Sequence, residues 1–461
     1  MPFKQFYFFS FILLLVYSCK NPLDVTDSPD VKLEFSTDTL LFDTVFTSLG
    51  STTGRIVIRN KNKSAISISN IRLGGGNASS YRINVDGVPG DNQSNVEIAG
   101  NDSVFLFVEV TINPTAALLP FIVTDSILFT TNGNKQQIQL ATYGQNARFY
   151  NDSILPCNTT WDATLPYVIY SGVLVDSLCK LTIEKGTKIY FHSRALLLVK
   201  GTLLVNGELN DTVVFKGDRL EEDYIDEPGQ WNSIQFLPGS TGNKINYAII
   251  KNAVFGVVVG TFPLYGITPD LEITNSIIKN MSATGLYGIN SIIKSYNNLI
   301  FRCGQAAFYG QLGGDYDIAH TTIGNFNGSF FNRKSPSAIF VDFLEVEKFV
   351  FVYAKLKIRL RNNIIWGALE DELAILKAGS LAVDSNLNNN LIRDSELKFK
   401  GNGNILNKDP LFEKSNKENF TLMENSPARG MAININAEKQ IFINDLAGKP
   451  RSSTPTIGCY E

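Results

Sequence analysis

Histidine is nearly absent from this sequence: 461 residues carry two, His192 and His320, and neither stands at metal-ligand spacing from Cys303 or Cys459. A zinc site is therefore not expected. Charge is also sparse. Asp, Glu, Lys and Arg make up 18% and sum to a net charge of −3, which gives no broad positive field to hold a phosphate backbone, so nucleic acid is excluded as a partner. Long apolar runs are missing too. The one candidate, Phe6 to Val16, is shorter than the roughly 20 residues needed to cross a bilayer.

What is abundant points to β structure. Apolar residues reach 44% and aromatics 11%, enough to bury a large core and too much for a disordered chain. The length implies two or three domains, or one domain with a solenoid.

The first residues read as an export signal. Lys4 precedes the apolar run, and Val16-Tyr17-Ser18-Cys19 closes it with a small residue before cysteine. Leu15-Val16-Tyr17-Ser18-Cys19 resembles a bacterial lipobox, with Val16 where leucine is commonest. That resemblance implies residues 1–18 as a cleaved leader and lipid on Cys19. Residues 19–30, with Pro22 and Pro29, then form a tether to the outer membrane in the cell envelope. A plain secretory leader with an incidental Cys19 is the alternative. Cys157 and Cys179 bracket a stretch able to fold back on itself, so a disulfide between them and two free thiols are both open. Cys303 and Cys459 read as small buried residues.

Residues 31–146 alternate with period two, as in Arg55-Ile-Val-Ile-Arg59, Ala65-Ile-Ser-Ile-Ser69 and Val104-Phe-Leu-Phe-Val-Glu-Val110, with Gly, Asn-Gly and Pro between. Six or seven antiparallel strands in this length predict a β-sandwich. The segments Phe42-Asp-Thr-Val, Val57-Ile-Arg-Asn-Lys, Ile68-Ser-Asn-Ile-Arg-Leu, Tyr81-Arg-Ile and Ile127 to Gly133 resemble immunoglobulin-like domains of the Hydin type. Such domains serve as spacers or binding modules.

From residue 147 the pattern changes to strand, glycine turn, strand, as in Leu181 to Tyr190 and Leu196 to Gly207. An apolar pair then recurs at Ile249-Ile250, Ile277-Ile278, Leu299-Ile300, Thr322-Ile323, Ile364-Ile365 and Leu391-Ile392, at intervals of 28, 22, 23, 42 and 27 residues. Rungs of three short strands consume about that length at ~3.3 Å per residue. The interval of 42 reads as two rungs, with Ala338 to Phe343 as the missing strand. Two residues before the last five of these positions stand Asn275, Asn297, His320, Asn362 and Asn389, a column expected to stack as an amide ladder. The fold class is therefore all-β: an immunoglobulin-like β-sandwich followed by a right-handed, single-stranded parallel β-helix over 147–461, with a C-terminal cap region.

The segments Asp409-Pro-Leu-Phe412, Asn419-Phe-Thr-Leu422, Ser426-Pro-Ala428, Asp445 to Arg451 and Ile457 to Glu461 resemble the terminal signature of pectin-lyase-like surface lipoproteins of Bacteroidetes. Gly217 to Glu221, Pro228 to Trp231 and Gly313 to His320 resemble the same group. The likeness implies a fold. That fold hosts lyases, hydrolases and non-catalytic adhesins, so chemistry must be argued from a site.

Two constellations qualify. Asp218, Glu221, Glu222 and Asp223, followed by Asp226 and Glu227, crowd one loop and offer oxygen ligands for calcium, or simply a solvated acidic surface. Arg302, Asp315, Asp317 and His320 are the catalytic candidates, if adjacent rungs bring them onto one face. His320 in the asparagine column argues equally for a structural role. Sugar binding asks less, and Trp231, Tyr287, Tyr309, Tyr316 and Trp366 are candidate contacts. The leading expectation is an envelope lipoprotein whose β-helix binds a polysaccharide or acts as a non-catalytic surface module. The alternative is a polysaccharide lyase or glycoside hydrolase.

Overall fold

The computed structural model describes residues 24–264, 266–328, 330 and 332–461. The leader, Cys19 and the start of the tether lie outside the described residues. The chain divides into two units, one ending at Asn146 and the other spanning Ala147–Glu461.

Alternation builds the first unit. In Ser103–Val110 every second side chain is buried, and Val104, Leu106, Val108 and Val110 join Ile56, Ile58, Ile127, Phe129, Ile138 and Leu140 in one core. The strands form two sheets. One pairs Gly54–Arg59 with Ser103–Val110 and Tyr81–Val85; the other pairs Phe121–Thr131 with Asn134–Gln145 and Ile66–Leu73. Asn132 and Gly133, at φ 49° and 78°, make the two-residue turn between the longest strands, the hairpin type whose twist suits antiparallel neighbours. This unit is a β-sandwich.

The second unit is a parallel β-helix. Each rung contributes one strand to each of three parallel sheets: sheet 1 begins at Arg148–Tyr150, sheet 2 at Ser153–Ile154 and sheet 3 at Thr159–Trp161. Among the described residues these sheets hold eleven, nine and nine strands. Cys157 and Cys179, at equivalent places on consecutive rungs, are joined by a disulfide. Cys303 and Cys459 are free and buried.

The apolar pairs align in register along sheet 1. Their second members, Ile250, Ile278, Ile300, Ile323, Ile365 and Ile392, enter the continuous core of the coil. Their first members face outward and, from Ile277 on, are covered by a strap, residues 407–461, that runs back over sheet 1. Phe420, Leu446 and Cys459 pack on Leu299 and Phe301, while Leu422, Ala428 and Ile457 pack on Ile364, Trp366 and Leu391. A parallel strand buried on both faces reads as an apolar run, and the strap is why the run occurs here. Gly324 leaves room for it: a Cβ there would stand 2.2 Å from the Phe420 ring.

The interval of 42 residues is one rung, which corrects the two-rung expectation. Thr322–Asn325 pairs directly with Ile364–Gly367, whereas Ala338–Val341 lies in sheet 2 beside Phe308–Gln311. The extra length is spent in the 326–337 loop and in a hairpin of Phe343–Glu347 with Val350–Tyr353. Insertions at the turns leave the register intact.

Arg333 anchors the enlarged loop. Its side chain, 1% exposed, meets Glu372, 0% exposed, through two bonds of 2.9 and 2.6 Å. Glu372 also accepts from the Ser337 and Leu369 amides at 2.9 and 2.8 Å. Removing one partner leaves a buried charge uncompensated, at a cost of about 3–5 kcal/mol. Glu372→Gln should lower unfolding free energy by about that amount in urea titration; a loss within experimental error would show that the pair is dispensable.

Candidate functional site

Asp315 and Asp317 lie on one outward face of Gly314–Ala319 in sheet 3. Register places Lys244, Glu272, Lys294, Asp317 and Arg359 side by side on successive rungs, a column of alternating charge. Both carboxylates are engaged by it. Arg359 lies 3.5 Å from each, Lys357 is 3.7 Å from Asp315, and Arg361 is 3.4 Å from Asp317. The buried Tyr296 hydroxyl donates to Asp317 at 2.8 Å, and burial together with that carboxylate pushes its ionisation far up. Arg302 lies in sheet 1, so the structure does not bring it to Asp315 and Asp317.

His320 is fully buried. Its Nε2 faces the Asn362 amide at 3.0 Å, and burial beside Arg451 holds its pKa well below the usual histidine range. Such a ring is neutral and closed to a substrate. Its slot has a backbone reason: Asn275, Asn297, His320, Asn362 and Asn389 have φ of 49°, 61°, 49°, 59° and 52°. These five rungs re-enter sheet 1 through a left-handed residue, where asparagine and histidine are favoured over other side chains. The amide ladder forms in part. Asn297 donates to Asn275 at 2.8 Å, but its own oxygen accepts from Arg451 of the strap at 2.7 Å, where histidine interrupts the stack. A second column, one residue further on, is more regular: Asn363 donates to Asn390 and Asn390 to Asn404, at 3.0 and 3.1 Å.

The acidic loop does not assemble a calcium shell. Asp218 bonds His192, Glu221 pairs with Arg219, and Glu222 and Asp223 are exposed. A cation of this kind takes six to eight converging oxygens; among the described residues no group of three or more His, Cys, Asp or Glu side chains converges. The loop instead leans over sheet 1. Asn252 donates to the Tyr224, Ile225 and Glu227 carbonyls, Asn280 donates to Asp226 at 3.0 Å, and Asp226 lies 3.8 Å from Arg302. The two constellations thus meet at Arg302, whose guanidinium also donates to Glu418 of the strap at 2.6 Å. Between loop and strap lies a cleft of about 520 Å³, with Asn280, Asn327, Asn416 and Arg302 around a floor that includes Phe301 and Phe420.

Sequence reasoning missed the neighbouring surface. Tyr170, His192 and Asp218 follow one another across three rungs: the His192 ring stacks on Tyr170 at 4.2 Å, and its Nδ1 lies 2.7 Å from Asp218 Oδ2. Burial raises the Asp218 pKa against the opposing pull of His192. Beside this pair, Lys216, Lys251 and Lys279 stack on consecutive rungs. Burial, with Lys251 and Lys188 nearby, lowers the Lys216 pKa to about 8. The available signal was alternation in Val214, Lys216 and Asp218, which puts all three on the outer face.

Of the aromatic candidates, Trp231 and Tyr316 are core residues and Trp366 lies under the strap. Tyr287 and Tyr309 stack on each other at 5.3 Å on sheet 2, so each occupies a face of the other.

No family model matches the chain, and no curated protein matches it. Among solved structures it is similar to a family 123 glycoside hydrolase from Clostridium perfringens, described for glycolipid glycan hydrolysis. Identity is 13% over 24% of this chain and 25% of that one, with a TM-score of 0.18. The chain thus spans about a quarter of that enzyme's length. It is also similar to the seventh ASH/PapD-like domain of human CEP192, at 9% identity over 29% of this chain and 97% of that one, with a TM-score of 0.19. Likenesses at these scores carry no argument about this chain's fold or function.

Two outcomes are expected from these environments. His320→Asn should fold with unchanged or higher Tm, because asparagine accepts the same backbone; a large loss would assign the imidazole an unrecognised role. Lys216 should lose its proton near pH 8, read by NMR of its side-chain amine. Its folded pKa lies below the unfolded value of about 10.4, so its contribution to stability is unfavourable below pH 8 and is relieved as pH rises towards 10.

Proposed function

We propose that this chain is a cell-envelope lipoprotein whose β-helix binds a glycan without cleaving it, at the cleft around Arg302. The observation that carries this reading is the lining of that cleft: three asparagines, Ser415, the Asp226 carboxylate and the Arg302 guanidinium beside phenyl rings, chemistry suited to hydroxyl groups and to the apolar face of a sugar ring. The carboxylates among the catalytic candidates, Asp315 and Asp317, are already engaged by cations.

In this reading lipid on Cys19 holds the protein at the outer membrane, and the N-terminal sandwich, as an immunoglobulin-like domain, acts as a spacer. Mass spectrometry of the exported chain should find a diacylglyceryl modification at Cys19, lost in Cys19→Ser. An unmodified Cys19 would remove the anchor from the proposal.

One observation favours the enzymatic alternative: His192, 38% exposed at its side chain, bonds Asp218, 10% exposed, an arrangement in which a carboxylate orients an imidazole for proton transfer. One incubation separates the two. The chain is mixed with a panel of neutral and uronate polysaccharides, and retention, reducing ends and unsaturated-product absorbance are followed together. Retention without turnover, weakened at least tenfold by Arg302→Ala, is expected. Turnover abolished by Asp218→Asn would make the protein a hydrolase or lyase and overturn the binding reading.

A further inference from the structure

The outer face of sheet 1, from ahead of the strap to where it passes under the strap's edge at Leu299 and Phe301, is built from two parallel columns. One is apolar: Val214, Ile249, Ile277 and Leu299, from consecutive rungs. The other carries Lys216, Lys251 and Lys279, and continues into Phe301. Together they line a trough of about 340 Å³ that ends at Glu418 and Tyr460 of the strap. Rungs repeat at about 4.8 Å, so three ammonium groups stand in single file.

Like charges directly abreast are destabilising, and sheets normally alternate them. Sheet 3 of this protein does so, with Lys244, Glu272, Lys294, Asp317 and Arg359 in sequence. The lysine column breaks that rule on the same coil. The strap supplies one carboxylate, Glu418, which pairs with Lys279 and Arg302 together. Among the described residues no carboxylate forms an ion pair with the other two, although Asp226 and Glu418 attract Lys251 from further off. Lys251 donates to the Ile225 carbonyl at 3.0 Å, Lys216 lies over the Tyr190 ring at 5.0 Å, and Asp218, two residues on, is bonded to His192. The proton affinity of both lysines is lowered: burial disfavours each ammonium, Lys251 and Lys188 add to the effect at Lys216, and at Lys251 the added effect of Lys279 is opposed by Asp226 and Glu418.

We infer that this trough binds a linear polyanion, a chain carrying carboxylate or sulfate groups, with its charges on Lys216 and Lys251 and its apolar edge on Val214 and Ile249. The inference rests on the glycan-binding reading and names the ligand class. Phe301 lines both the trough and the Arg302 cleft, so one chain can occupy the two in succession. A single small anion covers one rung spacing, whereas the apolar column runs across four rungs.

The test uses the mature chain and polymers matched in backbone: dextran sulfate against unsulfated dextran, with polygalacturonate as the carboxylate arm and free sulfate as the monomeric control. The expected result is binding of dextran sulfate, polygalacturonate or both, no binding of dextran, and loss of affinity with added salt. The double variant Lys216→Gln, Lys251→Gln should weaken binding at least tenfold while leaving Tm unchanged or raised, since it removes repulsion. Affinity should fall as pH rises through about 8, where Lys216, faced by Lys188, Lys251 and Tyr190, gives up its proton.

If the charged polymers bind the double variant as well as the parent, or dextran binds equally, the inference fails. Equal effectiveness of free sulfate would also sink the polymer assignment. Retention of a neutral polysaccharide that depends on Arg302 but not on the lysines would leave the glycan reading standing and overturn this one. Retention of no polymer of either kind would overturn both.

Discussion

Over most of its length the β-helix depends on one constraint: from the rung of Tyr247 onward, each connection after sheet 3 swings back into sheet 1 at the same place, through a left-handed residue. If one rung turned a residue early, its side chains would exchange faces and the core column would open. The sequence meets the constraint with asparagine, whose backbone tolerates the conformation and whose amide bonds the next rung. Where Tyr247 and Gly403 occupy the slot, φ is still positive, at 46° and 72°. Conformation is therefore the primary requirement and the amide stack is secondary. Asn363, Asn390 and Asn404, one residue further on, do the more regular hydrogen bonding.

Sheet 1 is divided by what covers it. Over its C-terminal half the strap turns an outer face into interior, and the apolar pairs are the visible trace. Over its N-terminal half the outward strand positions carry Tyr190, His192, Lys216, Asp218 and Lys251 instead. The candidate cleft and the trough lie where cover ends, between the strap and the acidic loop. Arg302 and Glu418 hold that border together.

Period-two alternation made the sandwich legible, and the recurring pair made the coil legible, because both follow from backbone geometry alone. The pair's spacing misled at the enlarged rung, since a count of residues does not tell a second turn of the coil from an insertion at its corner. Side-chain constellations were far less readable. Arg302 and Asp226 belong to one site although 76 positions separate them, whereas Arg302 and Asp315, 13 apart, occupy different sheets. Nearness in a coil is set by rung and sheet. The lysine column escaped notice for the same reason: Lys216, Lys251 and Lys279 look unrelated until the register is known.

The strap follows, in chain order, every rung it covers. While the polypeptide is being made, the outward faces of Leu299, Ile364, Trp366 and Leu391 form a bare apolar stripe on a coil that can otherwise stack rung by rung. The stripe stays bare until Phe420, Leu422 and Ile457 arrive. A nascent coil is thus at its stickiest just before completion, when exposed apolar surface invites association with other chains. Such a chain gains from a partner that shields the stripe until its own last segment arrives.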